Sequence, residues 1–275
     1  MTGKVPILEA VRAGFAHTGR TFKWSAIAAV LIGAPSGAAS WVAIGRAVAG
    51  DAGGALGWSL LSTLLLLPFL TAHLRVAARG EPFGLSVGAD EIRLLAAQAA
   101  LIGFNGIVLL VGLFFSFFLM ALLIGAVGVT LPQAGAFDPA ALREALGAKG
   151  QFAASIAFLP LLLVLVWIGL RLLLVNPATI GARRVRVFET WSWTKGNVLA
   201  LFASLILVVF PMALLLGVIS GLLAPALGVD ANDPATQLGY TGLAYQCLTS
   251  MFSLLLVAGP VLGLSGYLYR GLNPE

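Results

Sequence analysis

Charged residues are scarce in this chain: Asp, Glu, Lys and Arg make up only 10% of its 275 residues, against about 25% in an average soluble domain. A soluble fold needs a charged exterior without large apolar patches, so this scarcity excludes an ordinary soluble protein. With 60% hydrophobic residues and a mean hydropathy of +1.01, the sequence predicts an all-α, polytopic membrane protein for which lipid is the main solvent.

Cysteine and histidine are also rare. The single cysteine, Cys247, excludes an internal disulfide and a metal site built from two cysteines. The two histidines, His17 and His73, lie far apart in the sequence and share no metal-ligand spacing. We therefore expect no metal ion and no cofactor.

Catalytic motifs are absent from the sequence as well. There is no HExxH, GxSxG, Walker or GxGxxG pattern in a supporting context, and no Asp, Glu, Lys or Arg lies in the interior of a predicted span. Asp90 and Glu91 are adjacent, and adjacent helical residues point about 100° apart, which indicates a solvated face rather than a catalytic pair. The sequence therefore predicts a protein that is not an enzyme.

Six apolar segments are long enough to cross a bilayer, since a crossing helix needs about 20 apolar residues. We predict one transmembrane domain over residues 1–275, with spans at about 25–45, 55–74, 94–127, 153–175, 198–228 and 241–269. The third span is longer than a bilayer requires, and the glycines of "GFNG" (103–106) are where we place any break in its helix. In the longest outer loop, "DPAALREALGA" predicts a short helix with Asp138 as N-cap and Pro139 as its first residue.

Lysine and arginine fix the predicted orientation, because cytoplasmic loops carry an excess of both. With both termini inside, the outer loops hold only Arg46, Arg143 and Lys149. The cytoplasmic segments then hold Lys4, Arg12, Arg20, Lys23, Arg75, Arg79, Arg93, Arg171, Arg183, Arg184, Arg186, Lys195 and Arg270. The net charge of +5 therefore indicates membrane topology, and we expect no nucleic-acid partner.

Three of the predicted cytoplasmic stretches are amphipathic, and each precedes a span that runs outward: "VPILEAVRAGFAHTGRTFKW", "PFGLSVGADEIRLLAAQ" and "RRVRVFETWSWTKGN". In the first, the large apolar residues Leu8, Phe15 and Phe22 fall on one helical face. A basic amphipathic helix beside a span is typical of an interfacial helix. Two interpretations stay open: a three-fold repeat of interfacial helix plus helical hairpin, or linkers that become amphipathic wherever they skirt lipid headgroups.

The segment "RLLLVNPATIGARRVRVFETWSWTKGN" (171–197) is the most distinctive in the chain. Its tryptophans belong at headgroup depth, and its arginines are expected to attract anionic phospholipid at about 1 kcal/mol each. Arg171 ends the fourth span and can snorkel to the same surface. We predict headgroup contacts from Arg171, Arg183, Arg184, Arg186, Trp191, Trp193 and Lys195. A surface anchor is the simpler interpretation of this segment, and a dedicated headgroup pocket is the alternative.

The same segment resembles the signature of bacterial membrane proteins grouped with YciC and with the membrane domain of glycerophosphoryl diester phosphodiesterase. "GADEIRLL" (88–95) is similar to a second stretch common in them. The resemblance implies a six-helix protein of the bacterial inner membrane, without phosphodiesterase activity, since that activity belongs to a separate soluble barrel of about 200 residues or more. The matching positions here are Arg171, Pro177, Thr190, Trp191, Thr194, Lys195 and Gly196.

Polar and small residues within the spans predict contacts between helices. Asn105 is the deepest amide, and we expect it to hydrogen-bond across an interhelical contact. Pairs of glycines four residues apart at 33/37, 217/221 and 259/263 suit close approach of helices. They fit contacts within the chain or between subunits, so a homo-oligomer or a protein partner stays open.

These observations favour a non-enzymatic membrane protein whose basic cytoplasmic face contacts anionic lipid, for membrane organisation or for a partner complex. The alternative is a transporter or flippase-like carrier of a lipid or small amphiphile. A carrier needs a continuous polar cavity that reaches the middle of the membrane, whereas tightly packed spans favour a scaffold.

Overall fold

The structure of the protein is a computed structural model that describes residues 5–126, 139–230 and 233–273, with the backbone alone described for 139–146. Within those ranges the chain is helical and has no strand, which confirms the all-α prediction. The helices are α1 (Ile7–Ala28), α2 (Ala34–Val48), α3 (Ala52–Leu65), α4 (Leu67–Arg79), α5 (Ala89–Ala126), α6 (Pro139–Arg171), α7 (Val175–Gly181), α8 (Glu189–Trp193), α9 (Val198–Ala226), α10 (Tyr240–Ser253) and α11 (Gly259–Leu272).

Six helical segments of the described chain are long and apolar enough to cross a membrane: Ile7–Val48, Ala52–Arg79, Ala89–Ala126, Gly147–Gly181, Val198–Ala226 and Tyr240–Leu272. Each coincides with one of the six predicted spans. The protein is therefore an integral, multi-pass membrane protein, as its composition predicts.

The described residues group into two compact units. Unit 1 contains the chain up to Gln98 and from Leu172 onward, and unit 2 contains Ala99–Arg171. In unit 1, α1 packs against α11, and α2 packs against α3 and α10. A core cluster of Leu74, Leu94, Ile180 and Leu262 joins α4, the start of α5, α7 and α11.

The first amphipathic stretch forms α1, which continues through a π-helical turn (Ala29–Gly33) into α2 without leaving the helical path. Its large apolar side chains face outward, with Leu8 67% and Phe22 58% exposed. The face that packs inside unit 1 carries instead small and polar residues, Ala10, Gly14, His17, Thr21 and Ser25. In lipid this is the stable arrangement, because small residues let helix backbones approach and apolar side chains gain nothing from leaving the lipid.

The second and third amphipathic stretches do not form interfacial helices. Residues 80–88 are irregular until α5 begins at Ala89, and 183–188 are irregular before the five-residue α8. The three stretches therefore have three different backbone conformations, which favours the second interpretation, linkers without a repeated helical unit.

The third span has no break at Gly103–Gly106, where any break was expected, because α5 runs unbroken for 38 residues, about 57 Å at 1.5 Å per residue. The predicted helix in the outer loop is correct in its backbone: α6 begins at Pro139 and kinks at Gly147. Asp138, its predicted N-cap, lies outside the described residues.

Unit 2 has a predominantly apolar surface. An apolar cavity of about 460 Å³ lies between α5 and α6, beside an edge-to-face contact of Phe117 with Phe158. Phe114, Phe115 and Phe118 are exposed on α5. Such a surface is suited to acyl chains.

Close packing in unit 1 depends on glycine. A Cβ at Gly37 would lie 2.5 Å from Cα of Cys247, and one at Gly14 would lie 2.8 Å from the carbonyl oxygen of Pro260. A Cβ at Gly263 would lie 2.5 Å from that of His17, whereas Gly217 and Gly221 have open space around them. The glycine pairs of α1–α2 and α11 therefore serve helix contacts, as predicted, and the pair in α9 makes no such contact within the described chain.

Candidate functional site: a buried histidine pair and a polar cavity

Residues 172–180 of the 171–197 segment are mostly buried, whereas 183–197 alternate between buried and exposed positions. Pro177, Thr190 and Thr194 are buried. The hydroxyl of Thr194 donates to the carbonyl of Thr190, 3.2 Å away. Gly196 then reverses the chain at φ +82°, a conformation that favours glycine. Pro177, Thr190, Thr194 and Gly196 therefore contribute to the packing and the turn of this segment.

The arginines of this segment differ in exposure. Arg183 and Arg184 are exposed and lie 3.5 Å from Glu81 and 3.8 Å from Glu189, respectively, so headgroup contact by these two stays a prediction. Arg186 is buried: only 4% of its side chain is exposed, and its Nε lies 3.1 Å from a carboxylate oxygen of Glu189. The expectation that Arg186 faces lipid headgroups is therefore corrected.

The remaining predicted contact residues lie as follows. Trp193 is half-buried, with its ring 5.8 Å from the Arg186 guanidinium and 6.1 Å from the ring of Tyr269. Trp191 is half-buried and Lys195 is exposed. Within unit 2, the Arg171 guanidinium lies 5.3 Å from the ring centre of Trp167, a cation–π contact.

Asn105 does not make the predicted interhelical bond. Its amide donates to the carbonyl of Leu101, 2.9 Å away in the same helix. An interhelical amide bond joins Gln98 to Asn176 instead, at 2.7 Å. Both positions are polar in the sequence, but nothing in the sequence identifies them as partners.

Four arginines and three carboxylates form an ion cluster where α4, α5 and the residues after α7 meet. Asp90 accepts hydrogen bonds from Arg75 at 3.1 Å, Arg79 at 2.6 Å and Arg93 at 2.8 Å. Glu91 lies 2.5 Å from Arg75. The cluster consists of Arg75, Arg79, Arg93, Arg183, Glu81, Asp90 and Glu91.

The interpretation of Asp90 and Glu91 as a solvated face is therefore wrong. Their side chains are only 12% and 5% exposed. Glu91 also accepts a hydrogen bond from the backbone N–H of Gly88, which precedes α5, as in a capping box. The cluster fixes the start of α5 against α4 and compensates most of the charge of its arginines.

The two histidines, which share no spacing in the sequence, form a buried pair. Nε2 of His17 on α1 lies 2.9 Å from Nδ1 of His73 on α4, and Nε2 of His73 lies 3.1 Å from the hydroxyl of Ser25. His17 is 3% and His73 0% exposed. Phe69 and Phe83 pack against the ring of His73.

A polar cavity of about 270 Å³ adjoins this pair in unit 1. Its polar lining includes His17, Arg20, Glu81, Tyr267 and Arg270, and its apolar walls include Trp24 and Phe83. In the described ranges of the chain, neither Arg20 nor Arg270 forms an ion pair with a carboxylate.

The cavity is suited to an anion, because its carboxylate, Glu81, is paired with Arg79 and Arg183, and its two guanidinium groups supply positive charge and many donors. Sequence reasoning missed it, since Arg20 and Arg270 lie 250 residues apart. One signal was available: small and polar residues recur every three or four positions along α1 from Ala10 to Ala28, and such a stripe marks a packing face in lipid.

The described residues contain no group of three or more His, Cys, Asp or Glu side chains that could hold a metal ion. Comparisons with models of protein families, with curated proteins and with solved structures found no match.

Proposed function

We propose that this integral membrane protein is non-enzymatic and binds anionic lipid at its cytoplasmic face in a bacterial inner membrane, for membrane organisation or to hold a partner complex. The observation that carries the proposal is the cavity in which Arg20 and Arg270 lie, neither of them paired with a carboxylate of the described residues. Anionic headgroups would supply the missing charge.

The charge distribution supports the orientation that this proposal needs. The cavity and the ion cluster share Glu81, so the arginines of both lie near one another. These arginines belong to segments that the excess of Lys and Arg assigns to the cytoplasm. Arg46 belongs to the opposite side and is exposed in a pair with Asp51.

The packing of unit 1 supports a scaffold over a carrier. The glycine contacts of α1, α2, α10 and α11 leave no room even for a methyl group at Gly14, Gly37 or Gly263. A carrier would need a polar path between such helices.

Lipid retention tests the proposal. We expect the double variant Arg20→Gln/Arg270→Gln to retain anionic lipid more weakly than the wild type by about 30-fold, since each arginine near an anionic surface is worth about 1 kcal/mol. Native mass spectrometry of protein purified in its own lipids measures this. Arg46→Gln is the matched control, and equal retention in all three proteins would refute the proposal.

The exposed Arg183 and Arg184 form a second arm of the same test. Both already lie near carboxylates, Glu81 and Glu189. We expect Arg183→Gln/Arg184→Gln to lower lipid retention less than the cavity variant does. A larger loss in this variant would place lipid binding on the 183–184 surface instead of in the cavity.

The second candidate is a proton-coupled carrier of a lipid or small amphiphile. One observation favours it: His17 and His73 form a titratable, hydrogen-bonded pair inside the helices, and ionisable groups within a membrane commonly carry protons. Reconstituted vesicles with an internal pH dye test it. Proton flux that requires His73 would favour the carrier, and the absence of flux with any added lipid would reject it.

A further inference from the structure

We infer that the cavity binds the headgroup of a lipid of the phosphatidylglycerol class, with the phosphate against Arg20 and Arg270 and a headgroup hydroxyl that donates to Nδ1 of His17. The inference rests on the proposed function, whose anionic lipid it specifies. It is carried by the order of hydrogen bonds in the histidine pair and by the charge of the cavity.

Ser25 sets the direction of donation in these hydrogen bonds. Its hydroxyl has a single proton, and its oxygen lies 2.9 Å from the carbonyl of Thr21, nearer than the 3.1 Å to Nε2 of His73. A carbonyl can only accept, so the proton belongs to the Ser25–Thr21 bond. Nε2 of His73 must then carry a hydrogen and donate it to Ser25.

The protonated nitrogen of His73 in turn determines which nitrogen of His17 carries a proton. A neutral His73 with a proton on Nε2 has a bare, accepting Nδ1. Nε2 of His17, 2.9 Å away, must therefore be the donor. This leaves Nδ1 of a neutral His17 as an acceptor, and no described residue donates to it.

His17 lines the cavity together with Arg20, Arg270 and Glu81, and the Glu81 carboxylate is paired with Arg79 and Arg183. The cavity therefore combines one buried acceptor with two guanidinium groups that form no ion pair with the described carboxylates. A ligand that satisfies both needs an anionic group and a hydrogen-bond donor. Two neighbouring guanidinium groups repel an ammonium donor, which disfavours an ethanolamine headgroup. A phosphate ester with a neutral hydroxyl fits, and a glycerol headgroup has both.

The cavity fits a headgroup rather than a whole lipid. Its volume of about 270 Å³ lies just below the range of about 300 to 1,000 Å³ for drug-sized ligands. Trp24 lines it and is 54% exposed, so an apolar ring stands beside the entrance, as at membrane interfaces. We therefore assign the phosphate to a lipid rather than to a soluble phosphate ester.

A comparison of two lipids separates the contribution of the headgroup hydroxyl from that of the negative charge. Phosphatidylglycerol and phosphatidylmethanol with the same acyl chains both carry one negative charge, but only the first has headgroup hydroxyls. We expect the wild-type protein to bind phosphatidylglycerol about fivefold more tightly in native mass spectrometry titrations, the factor for one hydrogen bond of about 1 kcal/mol. Equal affinity for the two lipids would overturn the inference, and so would equal binding of phosphatidylethanolamine.

Two variants locate the hydroxyl at His17. His17→Gln keeps an amide that can donate towards His73 but has no acceptor in place of Nδ1. Ser25→Ala leaves the cavity lining unchanged but lets His73 carry its proton on Nδ1, which turns Nδ1 of His17 into a donor. The phosphate of either lipid accepts from such a donor more strongly than a hydroxyl does, so the hydroxyl no longer distinguishes the two lipids. We expect both variants to lose the fivefold preference. If His17→Gln fails to fold, Ser25→Ala decides, and a preference retained in the folded variants would refute the assignment.

Two further measurements distinguish a failure of the proposed function from a failure of the headgroup assignment. If Arg20→Gln/Arg270→Gln binds both anionic lipids as the wild type does, the proposed function fails. If that variant weakens both lipids equally and the wild type shows no preference, only the headgroup assignment fails. Displacement of phosphatidylglycerol by an equal concentration of glycerol phosphate would show that the site serves a soluble ester, which overturns the lipid assignment.

Discussion

Nε2 of His17 and Nδ1 of His73 lie 2.9 Å apart, although 56 residues separate them in the chain. One of these nitrogens must donate and the other must accept, so the pair holds α1 against α4 only while a single proton is shared between the two facing atoms. The contact also closes the inner side of the polar cavity, where His17 is part of the wall.

We expect the two histidines to be energetically coupled. His17→Ala and His73→Ala each leave the other ring without its buried partner, at about 1–3 kcal/mol. The double variant removes both members and should be less destabilised than the sum of the single variants, by about 1 kcal/mol. Thermal unfolding of the four proteins in one detergent measures the cycle, and additive losses would show that the hydrogen bond contributes nothing.

Asp90 should be the most sensitive member of the ion cluster. It accepts from three arginines and is only 12% exposed. Asp90→Asn leaves those cations facing each other with two remaining carboxylates, so we expect a loss of about 3 kcal/mol in the free energy of unfolding. Arg46→Gln, which breaks an exposed pair, should cost less than about 1 kcal/mol. Similar melting temperatures for the two variants would contradict this.

Hydropathy predicts the spans well, because in lipid any helix of about 20 apolar residues satisfies its own backbone. It could not predict which face of a helix packs. The amphipathic pattern of α1 groups Leu8 with Phe22, and by analogy with soluble helices that face would be buried. The structure exposes both and buries Gly14 and Ser25, because lipid is as apolar as leucine.

The candidate site was the hardest part to predict, because it depends on pairings between distant helices. The net charge and the predicted cytoplasmic positions of Arg20 and Arg270 are visible in the sequence, but their shared cavity is set by how α1 packs on α11. Likewise, the 171–197 segment indicates a membrane surface by composition. Its burial of Arg186 depends on an ion pair with Glu189, which spacing alone does not distinguish from an exposed pair.

The orientation of the spans is testable by labelling. In a Cys247→Ser background, Ser192→Cys and Gly53→Cys each introduce one thiol at an exposed position. The charge distribution places residue 53 outside and residue 192 in the cytoplasm. We expect a membrane-impermeant maleimide to label Gly53→Cys in intact cells and Ser192→Cys only after the inner membrane is opened. The reverse pattern would invert the topology and place the polar cavity outside.

Gly37 should tolerate no side chain, and the reason is the backbone of α10. A Cβ there would lie 2.5 Å from Cα of Cys247 and 2.5 Å from the carbonyl oxygen of Gln246, and main-chain atoms cannot rotate away as a flexible side chain can. Gly37→Ala must therefore push α2 and α10 apart, and we expect it to cost about 1–3 kcal/mol, the usual range for overpacking. Gly221→Ala is the matched control: it makes the same change within a helix where no atom lies within 4 Å, so its melting temperature should equal or slightly exceed that of the wild type. If Gly37→Ala has the same melting temperature as Gly221→Ala, α2 and α10 do not approach as closely as the structure has them. The main argument for a scaffold over a carrier, which is the tight packing of these helices, would then fail.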